Sequence, residues 1–257
     1  MERIDIVNEN LKLIQRTEGL NFGTDALLLA AYISPSRPYS RGIEYGAGTG
    51  IVSLLALSRN KIASVWALEV QEEYASITAR NAALNGMSER LFAVHTDIRD
   101  YALAPDECAD IIFTNPPYMK CDSGRANSAE EKNAARHEIH GTVYSFLASA
   151  KKHLRYGGAF VIVYRADRLT DLMDAMRQNK IEPKRMTFVH ADFQSEPSMV
   201  LIEGRAGGGE GLFVSAPLIL YRDSAHREYS ENMTYILENG SFPESFYIQN
   251  KKRRQEK

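Results

Sequence analysis

Gly42-Ile43-Glu44-Tyr45-Gly46-Ala47-Gly48-Thr49-Gly50-Ile51-Val52-Ser53 decides the fold of this 257-residue chain. A short strand over residues 42–45 runs into a turn with glycine at every second position, and the turn opens directly into an apolar helix over 51–58. Glycines at such a turn let backbone amides approach a ligand where a Cβ would collide with it. The pattern then repeats. A strand over 62–68 ends at Glu69, a helix over 72–84 stops at Asn85-Gly86, a pair suited to a left-handed cap, and a strand over 91–95 ends at Asp97. A fourth strand, 110–114, ends at Asn115-Pro116-Pro117-Tyr118. Strands alternating with helices predict an α/β fold with a doubly wound, mostly parallel sheet.

Working outward, residues 4–15 have loosely helical apolar spacing, and Asp25-Ala26-Leu27-Leu28-Leu29-Ala30-Ala31 is a strong helix former with Thr24 as its N-cap. Pro35 and Pro38 close this amino-terminal helical extension. Residues 119–136 are polar without an apolar period and read as a mobile loop. Thr142 caps a helix to about Leu154, Gly157-Gly158 ends it, and residues 159–164 form a strand followed by a helix over 167–178. Strands are expected over 185–190, 198–203 and 211–220, giving an antiparallel carboxy-terminal pair with Gly207-Gly208-Gly209 as a hairpin turn. The expected layout is an extension over 1–38, a catalytic domain over 39–222, and a carboxy-terminal helix and basic tail over 223–257.

Composition sets limits on function. No apolar run approaches the length of a membrane span and the first ten residues lack a signal core, so a cytoplasmic protein without membrane contact is expected. Cys108 and Cys121 lack metal-site spacing and are too few for a disulfide framework. His137-Glu138-Ile139-His140 lacks a third ligand nearby, so no metal is expected. With 31 basic against 33 acidic residues, any nucleic-acid site must be a local patch. Candidates are Lys184, Arg185, Arg205, Arg222, Arg227 and the tail Lys251-Lys252-Arg253-Arg254.

The spacing G-x-G-x-G differs from the dinucleotide fingerprint, which places its third glycine three residues after the second. Glu69, at the end of the next strand, is placed to accept hydrogen bonds from ribose hydroxyls, a role that serves NAD and S-adenosylmethionine alike. Asp97, with the backbone of Ile98 beside it, is an acceptor for an adenine amino group. Through Glu44-Tyr45-Gly46-Ala47-Gly48-Thr49-Gly50, Glu69 and Asp97 the sequence resembles the class I methyltransferases. That resemblance implies S-adenosylmethionine as cofactor, with Glu44 where an acidic residue, often Asp, stands in the family.

Asn115-Pro116-Pro117-Tyr118 points to methylation of a planar, conjugated nitrogen. Such a nitrogen is a poor nucleophile because its lone pair is delocalised. Hydrogen bonds from its N–H groups to the Asn115 side-chain oxygen and the Pro116 carbonyl favour pyramidalisation and localise that pair. The prolines fix φ and carry no competing amide hydrogen, and Tyr118 offers a ring for stacking on a flat substrate.

Over its length the sequence resembles the bacterial tRNA methyltransferases that modify N6 of adenine 37 in a valine tRNA. The segments that carry this are Gln15 with residues 18–30, the glycine turn, Asn-Pro-Pro-Tyr, Ala135-Arg136-His137-Glu138, residues 216–221 and Glu228-Tyr229-Ser230. The resemblance implies tRNA as partner, Phe22 and Thr24 as further cofactor contacts, and an RNA contact near Arg205, where lysine is common in the family. Arg136, closing the polar stretch, is a candidate grip for a phosphate. Methylation of a protein glutamine amide or of guanine N2 in ribosomal RNA stays open on the residues alone, as does a non-catalytic RNA-binding module.

Overall fold

The computed structural model describes residues 1–17, 22–34, 38–104, 107–116 and 142–247. Pro117, Tyr118, Cys121, Arg136, the His137–His140 pair, the 119–136 stretch and the basic tail lie outside these residues. Along the chain come β1 (Glu2–Asn8), β2 (Leu11–Arg16), α1 (Thr24–Tyr32), β3 (Tyr39–Tyr45), α2 (Ile51–Ser58), β4 (Ile62–Glu69), α3 (Glu72–Leu84), β5 (Leu91–His95) and β6 (Ala109–Thr114). There follow α4 (Val143–His153), β7 (Leu154–Arg165), α5 (Leu169–Gln178), β8 (Ile181–His190), β9 (Pro197–Ala206), β10 (Phe213–Val214), β11 (Leu218–Ile219) and α6 (Glu231–Asn239).

Nine strands form one sheet in the order β10-β8-β9-β7-β6-β3-β4-β5, with β11 also pairing β8. The sheet is parallel except where β9 runs antiparallel between β7 and β8. Alternation along the strands feeds two cores. Ile111, Phe113, Val161 and Val163 face one, with α1, α2 and α6; Ile112, Phe160 and Ile162 face the other, with α4 and α5. From β3 the chain proceeds to β4 on one side, while β6 lies on the other. This is the switch point at which open α/β sheets form their ligand crevice, and it brings the ends of β3 and β6 into register, Tyr45 opposite Thr114.

Three expectations change. Residues 4–15 form the β1–β2 hairpin rather than a helix. The β-branched Ile4, Ile6 and Val7 favour strand, and the turn is set by Asn8, whose side-chain Oδ1 accepts from the Asn10 amide at 3.0 Å. Gly157 and Gly158 lie inside β7, beside an irregularity in its register with β6, so α4 ends without them and Gly157, at φ +74°, accommodates the bulge. Gly207-Gly208-Gly209 does not join two paired strands, because the chain leaving β9 crosses β8 and adds β10 and β11 parallel to it.

Helix α1 is buried over nearly all its surface, Leu28, Leu29 and Tyr32 completely. Two buried basic side chains close its carboxyl end, where carbonyls need donors. Lys61 Nζ donates to the carbonyls of Ala30 and Ala31 at 2.7 and 3.1 Å. Arg185 Nη2 donates to that of Tyr32 at 2.6 Å while its guanidinium lies between the rings of Tyr32 and Tyr247. Arg185 is therefore a core residue paired with Glu203 at 2.8 Å, and not part of a surface patch for nucleic acid.

Candidate active site

The carboxyl ends of β3, β4, β5, β6 and β7 open onto one cavity of about 810 Å³, a size usual for small-molecule sites. Its wall includes Phe22, Thr24, Glu44, Gly46, Gly48, Glu69, Asp97, Ile98, Asn115 and Pro116, so most of the residues singled out from sequence meet here. Asp25, Tyr74, Phe146, Arg165 and Met199 complete the enclosure.

Gly46 and Gly48 have φ of +66° and +57°, and a Cβ on either would meet nothing within 4 Å, which leaves a cradle that a ligand can approach closely. Glu69 braces it. One oxygen accepts from the Gly48 amide at 2.8 Å and the other from the Gln71 amide at 2.9 Å, which fixes the carboxylate facing the cavity with acceptor capacity left over. Behind the turn, Thr78 of α3 donates to the Gly48 carbonyl at 2.9 Å and Asn81 to that of Thr49 at 2.9 Å. Thr114 donates to the Tyr45 carbonyl at 2.9 Å, tying the strand end that precedes Asn115 to the one that precedes Gly46. His153 donates from Nε2 to the Tyr101 carbonyl and so presents Nδ1 as the acceptor for the Tyr45 hydroxyl at 2.5 Å. Burial holds the His153 pKa down, in keeping with the neutral ring.

Three expectations about the cofactor residues are refined. Gly50, also at positive φ, does not line the cavity: a Cβ there would lie 2.8 Å from Thr78 Cγ2, so its lack of side chain lets α3 pack close. Glu44 is buried and accepts from both the amide and the hydroxyl of Ser53, which anchors the start of α2. Burial raises its pKa to about 8, the Ser53 bonds opposing this and the Glu69 charge adding to it. Asp97 is gripped by Arg99 through Nε at 2.9 Å and Nη2 at 2.5 Å, and also accepts from the Arg99 amide. Asp97 lines the cavity beside Ile98.

Asn115 is held from an unexpected quarter. Its Nδ2 donates to Asp25 Oδ2 at 2.8 Å, while its Oδ1 is buried in the wall without a hydrogen-bond partner among the described residues. A buried, unpaired carbonyl oxygen is costly, by about 1–3 kcal/mol, unless something arrives to donate to it. Pro116 is buried beside it and offers its carbonyl without an amide of its own. Arg205 is not brought to the site. Antiparallel β9 places Ser198 and Met199 at the cavity and Arg205 at the opposite edge of the sheet, where it binds Glu203 at 2.5 Å and joins the buried Arg185 cluster. Among the described residues no three His, Cys, Asp or Glu side chains are grouped to hold a metal, and no helix is long and apolar enough to cross a membrane.

A model of the methyltransferase small domain family matches residues 17–180. The chain belongs to this methyltransferase family. Among its relatives, the tRNA1(Val) (adenine(37)-N6)-methyltransferase of Flavobacteriaceae bacterium (strain 3519-10) is 25% identical over 230 residues, 90% of this chain and 94% of the relative. The protein of the same name from Bacteroides fragilis (strain YCH46) is 29% identical over 188 residues, covering 71% and 76%. Of solved structures, a predicted O-methyltransferase from Agrobacterium tumefaciens superposes with a TM-score of 0.69 at 21% identity, over 88% of this chain and 99% of its own. That likeness bears on the methyltransferase fold alone. The family match spans the glycine turn, Glu69, Asp97 and Asn115 together, on one chemically coherent cavity.

Proposed function

We propose that this enzyme transfers a methyl group from S-adenosylmethionine to the exocyclic N6 amine of adenine 37 in a valine tRNA, in the cytoplasm. The observation that carries the reading is the Asn115 amide in the cavity wall, fixed through its nitrogen and with its buried oxygen unpaired among the described residues. The named relatives support the substrate, and the family supports methyl transfer.

The cavity fits the cofactor by its chemistry. Gly46 and Gly48 leave room for a nucleoside to lie against the turn, Glu69 accepts from ribose hydroxyls, and Asp97 with Ile98 faces the adenine edge. When bound, the sulfonium supplies an electrophilic methyl carbon. The protein's own task is to prepare the nitrogen. An adenine turned out of an RNA loop enters beside Pro116. Asn115 Oδ1 and the Pro116 carbonyl accept from its two N–H groups, which pulls the lone pair out of conjugation and aims it along the line of attack. Held by Asn115 and Pro116, the nitrogen would take the methyl group in exchange for the sulfur–methyl bond and give up its surplus proton to water, so that the products would be S-adenosylhomocysteine and N6-methyladenosine. Pro117 and Tyr118 continue the segment, Tyr118 as the stacking ring, and Arg136 is assigned to the RNA backbone. Phe22 and Thr24 cover the cofactor from the α1 side.

The test is methyl transfer from labelled S-adenosylmethionine to unmodified tRNA, ribosomal RNA and protein lysate in parallel, followed by nucleoside analysis. Label recovered from tRNA as N6-methyladenosine is the expected result. Label confined to protein, or to methylguanosine, refutes the substrate.

A further inference from the structure

We propose that Asp25 is a positioning residue for methyl transfer, locking the Asn115 amide in the one orientation that presents oxygen rather than nitrogen to the incoming amine. The inference rests on the reading of Asn115 given above and adds to it a residue ninety positions upstream.

A carboxamide is nearly symmetric in shape but opposite in chemistry at its two ends. With oxygen inward, Asn115 accepts from the substrate N–H. With nitrogen inward, donor faces donor and the amine is repelled. Nothing in the shape of the pocket distinguishes the two, so a third group must choose. Asp25 Oδ2 lies 2.8 Å from Asn115 Nδ2, and an ionised carboxylate only accepts, so the NH₂ end must turn toward it. The oxygen is thereby left at the other end of a residue that lines the cavity, buried and without a hydrogen-bond donor among the described residues. Because the bond is charge-assisted, it also draws electron density toward Oδ1 and makes it a better acceptor.

The placement of Asp25 is built in. It sits in the first turn of α1, where the helix dipole favours a negative charge, and its Oδ1 accepts from the Ala26 amide at 2.9 Å. Gly23 makes room for it: a Cβ there would stand 2.7 Å from Asp25 Oδ1. The helix is immobilised by Leu28, Leu29 and Tyr32 in the core and by Lys61 and Arg185 at its far end. A carboxylate on so rigid an element can hold another side chain to the tolerance that catalysis needs.

The test compares Asp25→Asn, Asn115→Ala and the double variant for kcat and KM on the methyl acceptor, cofactor Kd and thermal midpoint. Asparagine at 25 keeps the shape but can face either end of Asn115, so kcat should fall roughly 10–100-fold, the range of a lost positioning contact, with cofactor Kd and thermal midpoint unchanged. In the Asn115→Ala background the same change should have no further effect on kcat. An equal loss in that background, or a loss expressed in cofactor Kd, overturns the proposal and makes Asp25 an independent contact. A second measurement uses the unaltered enzyme: the Asn115 side-chain amide protons should exchange slowly with solvent, and rapid exchange also overturns it. If the acceptor proves to be another planar amine, the substrate reading fails while the same comparison on that acceptor still decides the role of Asp25.

Discussion

Gly48 and Gly50 lie two residues apart at similar positive φ, yet the structure gives alanine at each a different consequence. Alanine in the left-handed region costs about 1–2 kcal/mol wherever it stands. At Gly50 the new methyl also meets Thr78 Cγ2 at 2.8 Å, an overpacking of about 1–3 kcal/mol. Gly50→Ala should therefore lose about 2–5 kcal/mol of stability, which for a chain of this size lowers Tm by roughly 4–20 °C. At Gly48 the methyl finds open space on the cavity side. Stability should fall only by the backbone share, while cofactor affinity falls by at least about tenfold, or 1.4 kcal/mol. Thr78→Ser removes the obstructing methyl and keeps the hydroxyl that donates to the Gly48 carbonyl. Combined with Gly50→Ala it should restore the steric share and leave the backbone share. The assays are urea unfolding and calorimetric titration with S-adenosylmethionine. A Gly50→Ala variant that melts like the unaltered protein, a Thr78→Ser change that rescues nothing, or an exchange of signatures between the two alanine variants would refute these assignments.

Further outcomes follow from buried groups. Glu44, raised to about 8 by burial against an ordinary 4.5, keeps its proton in the native state where the unfolded chain has lost one, so stability should fall as pH rises across that window. In urea titrations without cofactor, Glu44→Gln should abolish that slope. Lys61, lowered to about 7 by burial against an ordinary 10.5, has the opposite sign: the unfolded chain holds the extra proton, so stability rises from about pH 7 to 10.5, and Lys61→Met should show no such rise. Arg185→Ala leaves buried Glu203 with Arg205 as its remaining partner and the Tyr32 carbonyl without its donor, and should cost up to about 3–5 kcal/mol in chemical denaturation. Arg205→Ala, altered at the edge opposite the cavity, should leave KM for tRNA unchanged; a raised KM would return Arg205 to the RNA interface.

The parts of this fold that local chemistry dictates were legible in the sequence. The helix over 72–84 and the strand ends at Glu69 and Thr114 show in periodicity, and the glycine turn and Asn115 show as motifs whose neighbours give them meaning. What escaped is set by contacts between distant segments. Residues 4–15 carry apolar residues that fit a helix loosely, and the choice of hairpin is made by α3, whose Asn81 and Asn85 hydrogen-bond β2 across some seventy positions. Asp25 and Asn115 are ninety residues apart, and each alone has an ordinary explanation. Arg185 and Arg205 read as surface charge because no local pattern announces Glu203 as their partner. A line of sequence records what a residue is, and burial decides whether a charge is solvated or structural.

The Asn81 amide nitrogen donates to two carbonyls at once, that of Ile14 in the hairpin and that of Thr49 in the glycine turn. One rigid group thus reports to both segments, and neither can shift without loosening its hold on the other. By reciprocity, the free energy by which a quieter turn steadies the hairpin equals that by which a quieter hairpin steadies the turn. The Ile14 amide, bonded to the Asn81 oxygen, becomes a remote sensor: its hydrogen exchange should slow when the cavity fills, although it touches nothing inside.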